Sequence, residues 1–511
     1  MGIRSAPACA SYDVVVIGSG MGGGTLAFAL RDSGLSVLVL ERGGVIPNEP
    51  ENWDTEAIFG DQHRYRTNEQ WQDGDGDWFT PGITYAVGGN TKVYGASLPR
   101  FRPQDFEAVE HADGVSPAWP IAYAGMEPHY AAAEHLYGVH AGPAADDEPP
   151  RSGPFPYPAV PHEPLVASVA ERLRARGYHP AHLPLGIDLR DGGACIRCTT
   201  CDGYVCKLDA KADAHVRCVL PAVATGAVEL VTGAYVRRLV AAPDGRRVAA
   251  VEIDHGGEVL TIGAGRVVVA AGAVNSAALL LRSADGGLAN GSGAVGRHYL
   301  VHNNSVMLTV HPLHRNETVF QKTLYVNDFY ERGTDAHPFP LGHMQLIGKV
   351  RVPMVKGQAP RGVPDAVLHY VTARSLDWWL FSEDLPDPAN RVELTPAGRI
   401  RIRWKPNNVA AHEALVHEAK RMARAAGYPI VLTRRAGVDV CSHQAGTLRA
   451  GTDPATSVVD AECRSHDLEN LYVADASSFA SLPVMNPALT IAANALRVAE
   501  VVARDAATGP G

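Results

Sequence analysis

The chain has no apolar run approaching the roughly 20 residues that a membrane-crossing helix needs, no block of like charge, and no repeat of fixed period. A helical membrane span and a solenoid are therefore not expected. A net charge of −9 over 511 residues is spread across both halves, so the basic stripe of a nucleic-acid binder is missing and the expected partner is a small molecule. The opening residues carry one arginine and a short Ala-Pro-Ala-Cys-Ala stretch, too brief for the apolar core of a secretion signal, and the cytoplasm is the expected address. Eight cysteines are too few for a disulfide framework. Cys9, Cys218, Cys441 and Cys463 are scattered, whereas Cys195, Cys198, Cys201 and Cys206 form a C-x2-C-x2-C-x4-C run. Clustered thiolates suit iron–sulfur centres and zinc. The last gap is one residue longer than in the ferredoxin pattern and no histidine completes a zinc set, so the expectation is a local disulfide or reduced thiols, with no metal.

What is present begins with a strand, a turn and a helix. Val14 to Ile17 reads as a buried parallel strand, Gly18-Ser19-Gly20-Met21-Gly22-Gly23 as the turn, about 21 to 32 as a helix, and Val37 to Leu40 as the next strand, closed by Glu41. In such a unit Gly18 permits the tight turn, Gly20 lets the backbone approach a pyrophosphate, and Gly23 lets the helix pack on the sheet. The helix N-terminus faces the phosphates with free amides. Glu41 stands where an acid takes a ribose hydroxyl, which favours FAD or NAD over NADP.

Further strands are expected at Val228 to Val240, Val248 to Ile253, Arg266 to Ala271 and Leu471 to Ala474, with a helix from about Ala488 to Ala503. Residues 60 to 82 read as polar loop. Eight prolines from Pro143 to Pro164 forbid regular structure over most of 142–164, giving a loop, linker or lid. The expected fold is α/β (α+β): a Rossmann-like dinucleotide-binding domain assembled from 10–100, 186–305 and 438–505, and a sheet-containing substrate-binding domain from 101–185 and 306–437.

Four segments together resemble the glucose-methanol-choline family of flavin-dependent oxidoreductases. They are the N-terminal turn with Glu41; Val87-Gly88-Gly89-Asn90-Thr91-Lys92-Val93-Tyr94-Gly95-Ala96; Val267 to Ser276 followed by Leu279-Leu280-Leu281; and Ser442-His443-Gln444-Ala445-Gly446-Thr447 with Tyr472-Val473-Ala474-Asp475 and Asn486-Pro487-Ala488-Leu489-Thr490. The resemblance implies FAD, held non-covalently because Val93 falls where some relatives carry a flavin-bonded histidine. It implies cofactor contacts at Gly18, Gly20, Met21, Gly23, Glu41, Arg42, Gly88, Gly89, Asn90, Thr91, Val236, Ala271, Gly272, Asp475, Asn486, Pro487 and Thr490. It makes His443 the base and Asn486 its partner on the substrate oxygen. Many relatives have a second histidine where Asn486 stands, so here the base role falls on His443 alone. Within the family, the 87–96 loop, the cysteine run with Asp202-Gly203, and the 320–323 and 327–330 segments look most like bacterial pyranose oxidases acting as glycoside 3-oxidases. That subgroup implies oxidation of the C3 hydroxyl of a sugar or glycoside to a ketone, with O2 or another acceptor reoxidising the flavin. The substrate candidates are Gln321, Gln345, Trp378 and Glu383, beside Trp379 and Phe381. A non-sugar or aminoglycoside alcohol is the alternative substrate and a lyase on the same scaffold the alternative reaction; no large apolar lid sequence is evident to favour a steroid or plain alcohol.

Overall fold

The computed structural model describes residues 3–60, 63–142, 148–440 and 443–508. Cys441, Ser442 and Pro143 lie outside them. The apolar runs Ser11–Ile17, Val37–Glu41, Val228–Thr232, Glu258–Val269 and Leu471–Val473 form the parallel part of an eight-stranded sheet. Tyr235–Ala241, Val248–His255 and the first half of Glu258–Val269 extend it as an antiparallel meander. Glu258–Val269 changes neighbour midway: residues 267–269 pair instead with 471–473. Register then decides where a ligand goes. Ile17 is level with Leu40 and Val269, and Val269 with Val473, so Gly18, Glu41, Ala270 and Ala474 leave the sheet at one carboxyl edge, where open α/β sheets bind ligands.

The second sheet has six antiparallel strands in the order Pro180–His182, Leu324–Val326, His343–Leu346, Ser375–Ser382, Asn303–Val310, Ile430–Arg435. Side chains alternate across it. Met307, Met344, Trp378 and Leu380 pack on the helices Pro164–Arg174 and Val409–Ala425, while Val306, Leu308, Gln345, Trp379 and Phe381 face a cavity.

Three local expectations are corrected. Val228 to Val240 is two strands rather than one, broken at Gly233, whose φ of +67° takes the chain out of the sheet. Residues 60–82 contain two short strands, Trp71–Gln72 and Trp78–Phe79, which join Arg391–Leu394 and Ile400–Arg403 in a four-stranded sheet because Trp71 is fully buried. The described part of 142–164 is no free lid: Arg151 pairs with buried Glu134 at 3.0 Å and stacks over Phe155, and none of that part lines the cavity.

Candidate active site

One cavity of about 1970 Å³ runs from the carboxyl edge of the first sheet to the open face of the second. At the sheet edge it is built of backbone. Gly18 has φ +98°, and a Cβ there would lie 2.4 Å from Ala270 O; one on Gly22 would lie 1.9 Å from Ala474 O, and one on Gly23 2.0 Å from Gly18 O. A Cβ on Gly20 would meet no protein atom and would project into the cavity, filling the space that a pyrophosphate needs. The helix Met21–Leu30 starts at this point and presents its first amides to the same space. These residues fit FAD.

Glu41 braces the glycine turn. Its buried carboxylate accepts the Ser19 N–H at 3.1 Å, the Ser19 hydroxyl at 2.7 Å and the Gly43 N–H at 2.9 Å, and burial raises its pKa. Ser19 Oγ in turn accepts the Gly88 N–H at 3.1 Å, tying the glycine turn to the 88–92 loop. Each carboxylate oxygen has two lone pairs, so Glu41 retains capacity for a ribose hydroxyl. Arg42 closes this end, stacked on Tyr85 and Tyr235 and paired with Glu69 at 3.0 Å. Asp475 staples the next turn: it accepts the Gly272 N–H at 2.7 Å and the hydroxyls of Ser276 and Ser477. Met21, Gly89, Asn90, Thr91, Val236, Ala271, Gly272 and Pro487 line the cavity. Gly23 and Gly88 stand behind the wall as packing and bracing positions. Thr490 is turned away from the cavity and bonds Tyr130 at 2.7 Å, because the helix starting at Ala488 packs that face on Tyr123–Tyr137; Ile491 lines the cavity in its place.

The far end is built of side chains. His443 Nε2 stands 3.5 Å from Asn486 Nδ2. Asn486 is oriented by Ser97, whose hydroxyl donates to its Oδ1 at 3.0 Å, leaving the amide NH2 toward His443. Ser97 also lies 3.4 Å from Gln345 Oε1, which His343 Nε2 meets at 3.0 Å. Lys322 and Asp202 form an ion pair against Gly95 of the 87–96 loop, and Asp202 also accepts the Gly348 N–H at 2.6 Å. Phe381 lies 5.1 Å from the His443 ring and stacks on His343. Burial, then the neighbouring His302, Lys322 and His343, hold His443 well below the ordinary histidine range.

Of the four substrate candidates only Gln345 lines the cavity. Trp378 is 2% exposed on the opposite face of its strand, and its neighbour Trp379 faces the cavity. Gln321 is spent on Asn316, Ile347 O and Asp377. Glu383 accepts from the Ser116 hydroxyl at 2.5 Å and meets His111 at 3.4 Å. Ser97, Asp202, Lys322 and His302 were not singled out by sequence. Asp202 and Lys322 sit inside the segments that carry the resemblance, one residue from Cys201 and from Gln321, but nothing local marks which residue of such a segment turns inward. Cys195, Cys198, Cys201 and Cys206 are all free thiols, and burial pushes Cys201 up to about 12. Cys201 lines the cavity beside Asp202.

Beyond the reaction chamber the cavity is walled by Leu308, Ile347, Met354, Val363, Val367 and Leu432, contributed by the second sheet and by the segment 350–371. The expectation of no apolar cover is corrected here: the apolar residues are scattered through the sequence and converge only in the fold.

Comparison with known proteins agrees with this arrangement. Family models described as GMC oxidoreductase match residues 61–304 and 386–495, and one described as FAD binding domain matches 13–47. The chain is 31% identical over 537 residues to 6'''-hydroxyparomomycin C oxidase of Streptomyces lividus, covering 98% of this chain and 93% of that protein. It is 31% identical over 516 residues to paromamine 6'-oxidase of Streptomyces fradiae, covering 97% and 92%. Among solved structures it resembles pyridoxine 4-oxidase from Mesorbium loti, with a TM-score of 0.66, 21% identity, and 96% and 98% of the two chains covered. The chain belongs to the GMC oxidoreductases, FAD-dependent enzymes that act on alcohols.

Proposed function

We propose that this enzyme oxidises a secondary alcohol of a sugar or glycoside, at the C3 hydroxyl, to the ketone, in the manner of the bacterial pyranose oxidases and glycoside 3-oxidases. FAD, held without a covalent link, supplies the hydride acceptor at the flavin N5, and O2 or another acceptor restores it. His443 takes the hydroxyl proton at Nε2. Its depressed pKa keeps it unprotonated and ready at neutral pH. Asn486 Nδ2–H donates to the same substrate oxygen and holds the carbinol in reach of both partners. The observation that carries the reading is the chamber around this pair: Ser97, Gln345, Lys322 and Asp202 surround it with donors and acceptors suited to neighbouring ring hydroxyls. Trp379 adds an aromatic face of the sort on which sugar rings stack. Two relatives are named as oxidases of aminoglycosides, themselves sugar-derived alcohols, which supports the substrate class and leaves the C3 position as our assignment.

A second reading draws on the apolar outer chamber, which suits an alcohol whose remaining bulk is apolar. One experiment separates the two. The yellow holoenzyme is mixed anaerobically with glucose, methyl and aryl glycosides, paromamine, and aliphatic or steroid alcohols, and the oxidised-flavin absorption is followed. Bleaching by sugars or glycosides, with a 3-keto product by NMR, is the expected result. Bleaching only by the non-sugar alcohols overturns the sugar assignment, and bleaching by paromamine alone moves the substrate to aminoglycosides.

A further inference from the structure

The catalytic histidine has a second histidine behind it. A short antiparallel ladder pairs Leu300 with Ala445 and Val301 with Gln444. One step further in that register brings His302 opposite His443. The rings meet edge to face at 88°, Nδ1 to Nδ1, at 3.1 Å. His302 is fully buried, and its Nε2 faces the backbone carbonyls of Pro483 at 2.8 Å and Leu482 at 3.2 Å.

This geometry dictates where the hydrogens sit. Carbonyl oxygens only accept, so His302 Nε2 carries a hydrogen. A neutral imidazole has one N–H, which leaves His302 Nδ1 as an acceptor. The hydrogen between the two rings therefore belongs to His443 Nδ1. His443 Nε2 then bears the lone pair, directed at Asn486 and the reaction chamber. His302 is neutral near pH 7: burial holds it down to about 4. The charged or titratable groups acting on the two rings are Glu383 on His302, and Lys322 and His343 on His443, with His343 itself held by burial to about 3.

We propose that His302 is the positioning residue of this active site, fixing His443 in the tautomer whose Nε2 can take the substrate proton. The inference rests on the reading of His443 as the base. In the reaction the substrate O–H bond breaks and its proton forms a new N–H bond at His443 Nε2, while the C–H bond electrons leave with the hydride to the flavin. His443 becomes an imidazolium whose Nδ1–H still points at His302, so the same hydrogen bond gains charge assistance as the proton arrives. A carboxylate in this place would orient the ring equally well and would also raise its pKa. A neutral imidazole orients it while leaving the base weakly basic, which matches the strong burial of the site.

The test uses the FAD-loaded full-length enzyme with a donor established by bleaching, in the variants His302→Phe, His302→Asn, His302→Gln and His443→Ala. Flavin content and Tm report folding, and anaerobic rapid mixing gives the flavin-reduction rate against pH. His302→Phe removes the acceptor, and kcat is expected to fall about 10- to 100-fold with KM little changed, the scale seen when an orienting partner is lost. Tautomer populations do not depend on pH, so the loss is expected to be uniform from pH 6 to 9. A merely loosened pocket would instead let water reach His443 and carry the acid limb up toward about 6.5. His302→Asn, whose Oδ1 stands where the imidazole Nδ1 does and can accept from His443 Nδ1, is expected to recover most of the rate. His302→Gln, whose amide lies one carbon further out at the place of Nε2, beside the Pro483 carbonyl, is expected not to, and it takes the place of His302→Phe if that variant fails to load FAD. Wild-type rates in both His302→Phe and His302→Gln, equal loss in His302→Asn, or a shifted acid limb in place of a uniform loss each overturn the proposal. Wild-type rates in His443→Ala overturn the base assignment itself, and this proposal with it.

Discussion

The two ends of the cavity are made of different material. The nucleotide end is backbone: positive-φ glycines, helix amides and strand ends, each carried by a short motif, meet at one sheet edge and are braced by Glu41 and Asp475. The alcohol end is side chain: Ser97, Asp202, His302, Lys322, Gln345, His443 and Asn486 come from seven separate stretches and meet only because residues at the carboxyl edge of the first sheet and on one face of the second line the same cavity. A ligand as invariant as a dinucleotide can be recognised through the main chain, and the requirement then appears as glycine in a short motif. A ligand that differs from enzyme to enzyme is recognised by side chains on a scaffold, and little of that is local.

The largest expected effect breaks the backbone end. Gly22→Val puts a Cβ 1.9 Å from Ala474 O, closer than any packing allows, so the helix must move from the sheet edge. The purified variant is expected to be colourless, with flavin absorption lost; a variant that stays yellow at wild-type Tm would show that the close approach is dispensable. At the side-chain end, Ser97→Ala is expected to leave the protein yellow and to slow flavin reduction about fivefold, since one hydrogen bond orienting Asn486 contributes about 1 kcal/mol. Retention of the full rate would mean that Asn486 is oriented by its backbone alone.

The smallest effect is a matter of pH. Because His443 lies below the ordinary histidine range, kcat/KM is expected to hold flat as pH falls through 6.5 and to drop only at more acid values. Stability follows the opposite course at the same end of the molecule. His302 at about 4, and His343 and His412 at about 3, have folded-state values below the unfolded 6.5. The unfolded chain binds more protons, so their contribution is full above about pH 6.5 and is lost as pH falls, through about 4 for His302 and about 3 for His343 and His412. A melting series is expected to show Tm falling by about 5 °C or more between pH 7 and pH 5; a flat Tm would mean that these rings are hydrated.

How much of this was legible in advance follows the same division. The first strand, turn, helix and second strand were read to within three residues, since periodicity and glycine placement are local signals. Both members of the proposed catalytic pair, His443 and Asn486, were named because each sits in a family motif, and the structure brings them to 3.5 Å. Trp378 was chosen over Trp379 because two adjacent tryptophans carry no mark of which faces the cavity; strand register alone assigns that. Gln321 and Glu383 look like sugar ligands in sequence, and buried partners claim them in the fold. His302 gave no signal, being one of 21 histidines in an otherwise apolar strand end.

The sequence by itself determined the cofactor class and the parallel strands and named His443 as the proposed base, because each depends on residues that are neighbours in the chain or belong to a motif of set spacing. Only the tertiary structure decided which side chains face the alcohol, that an apolar chamber lies beyond it, and that His302 backs His443. Those facts depend on register between strands more than a hundred residues apart, and a one-residue change in register turns every side chain to the other face.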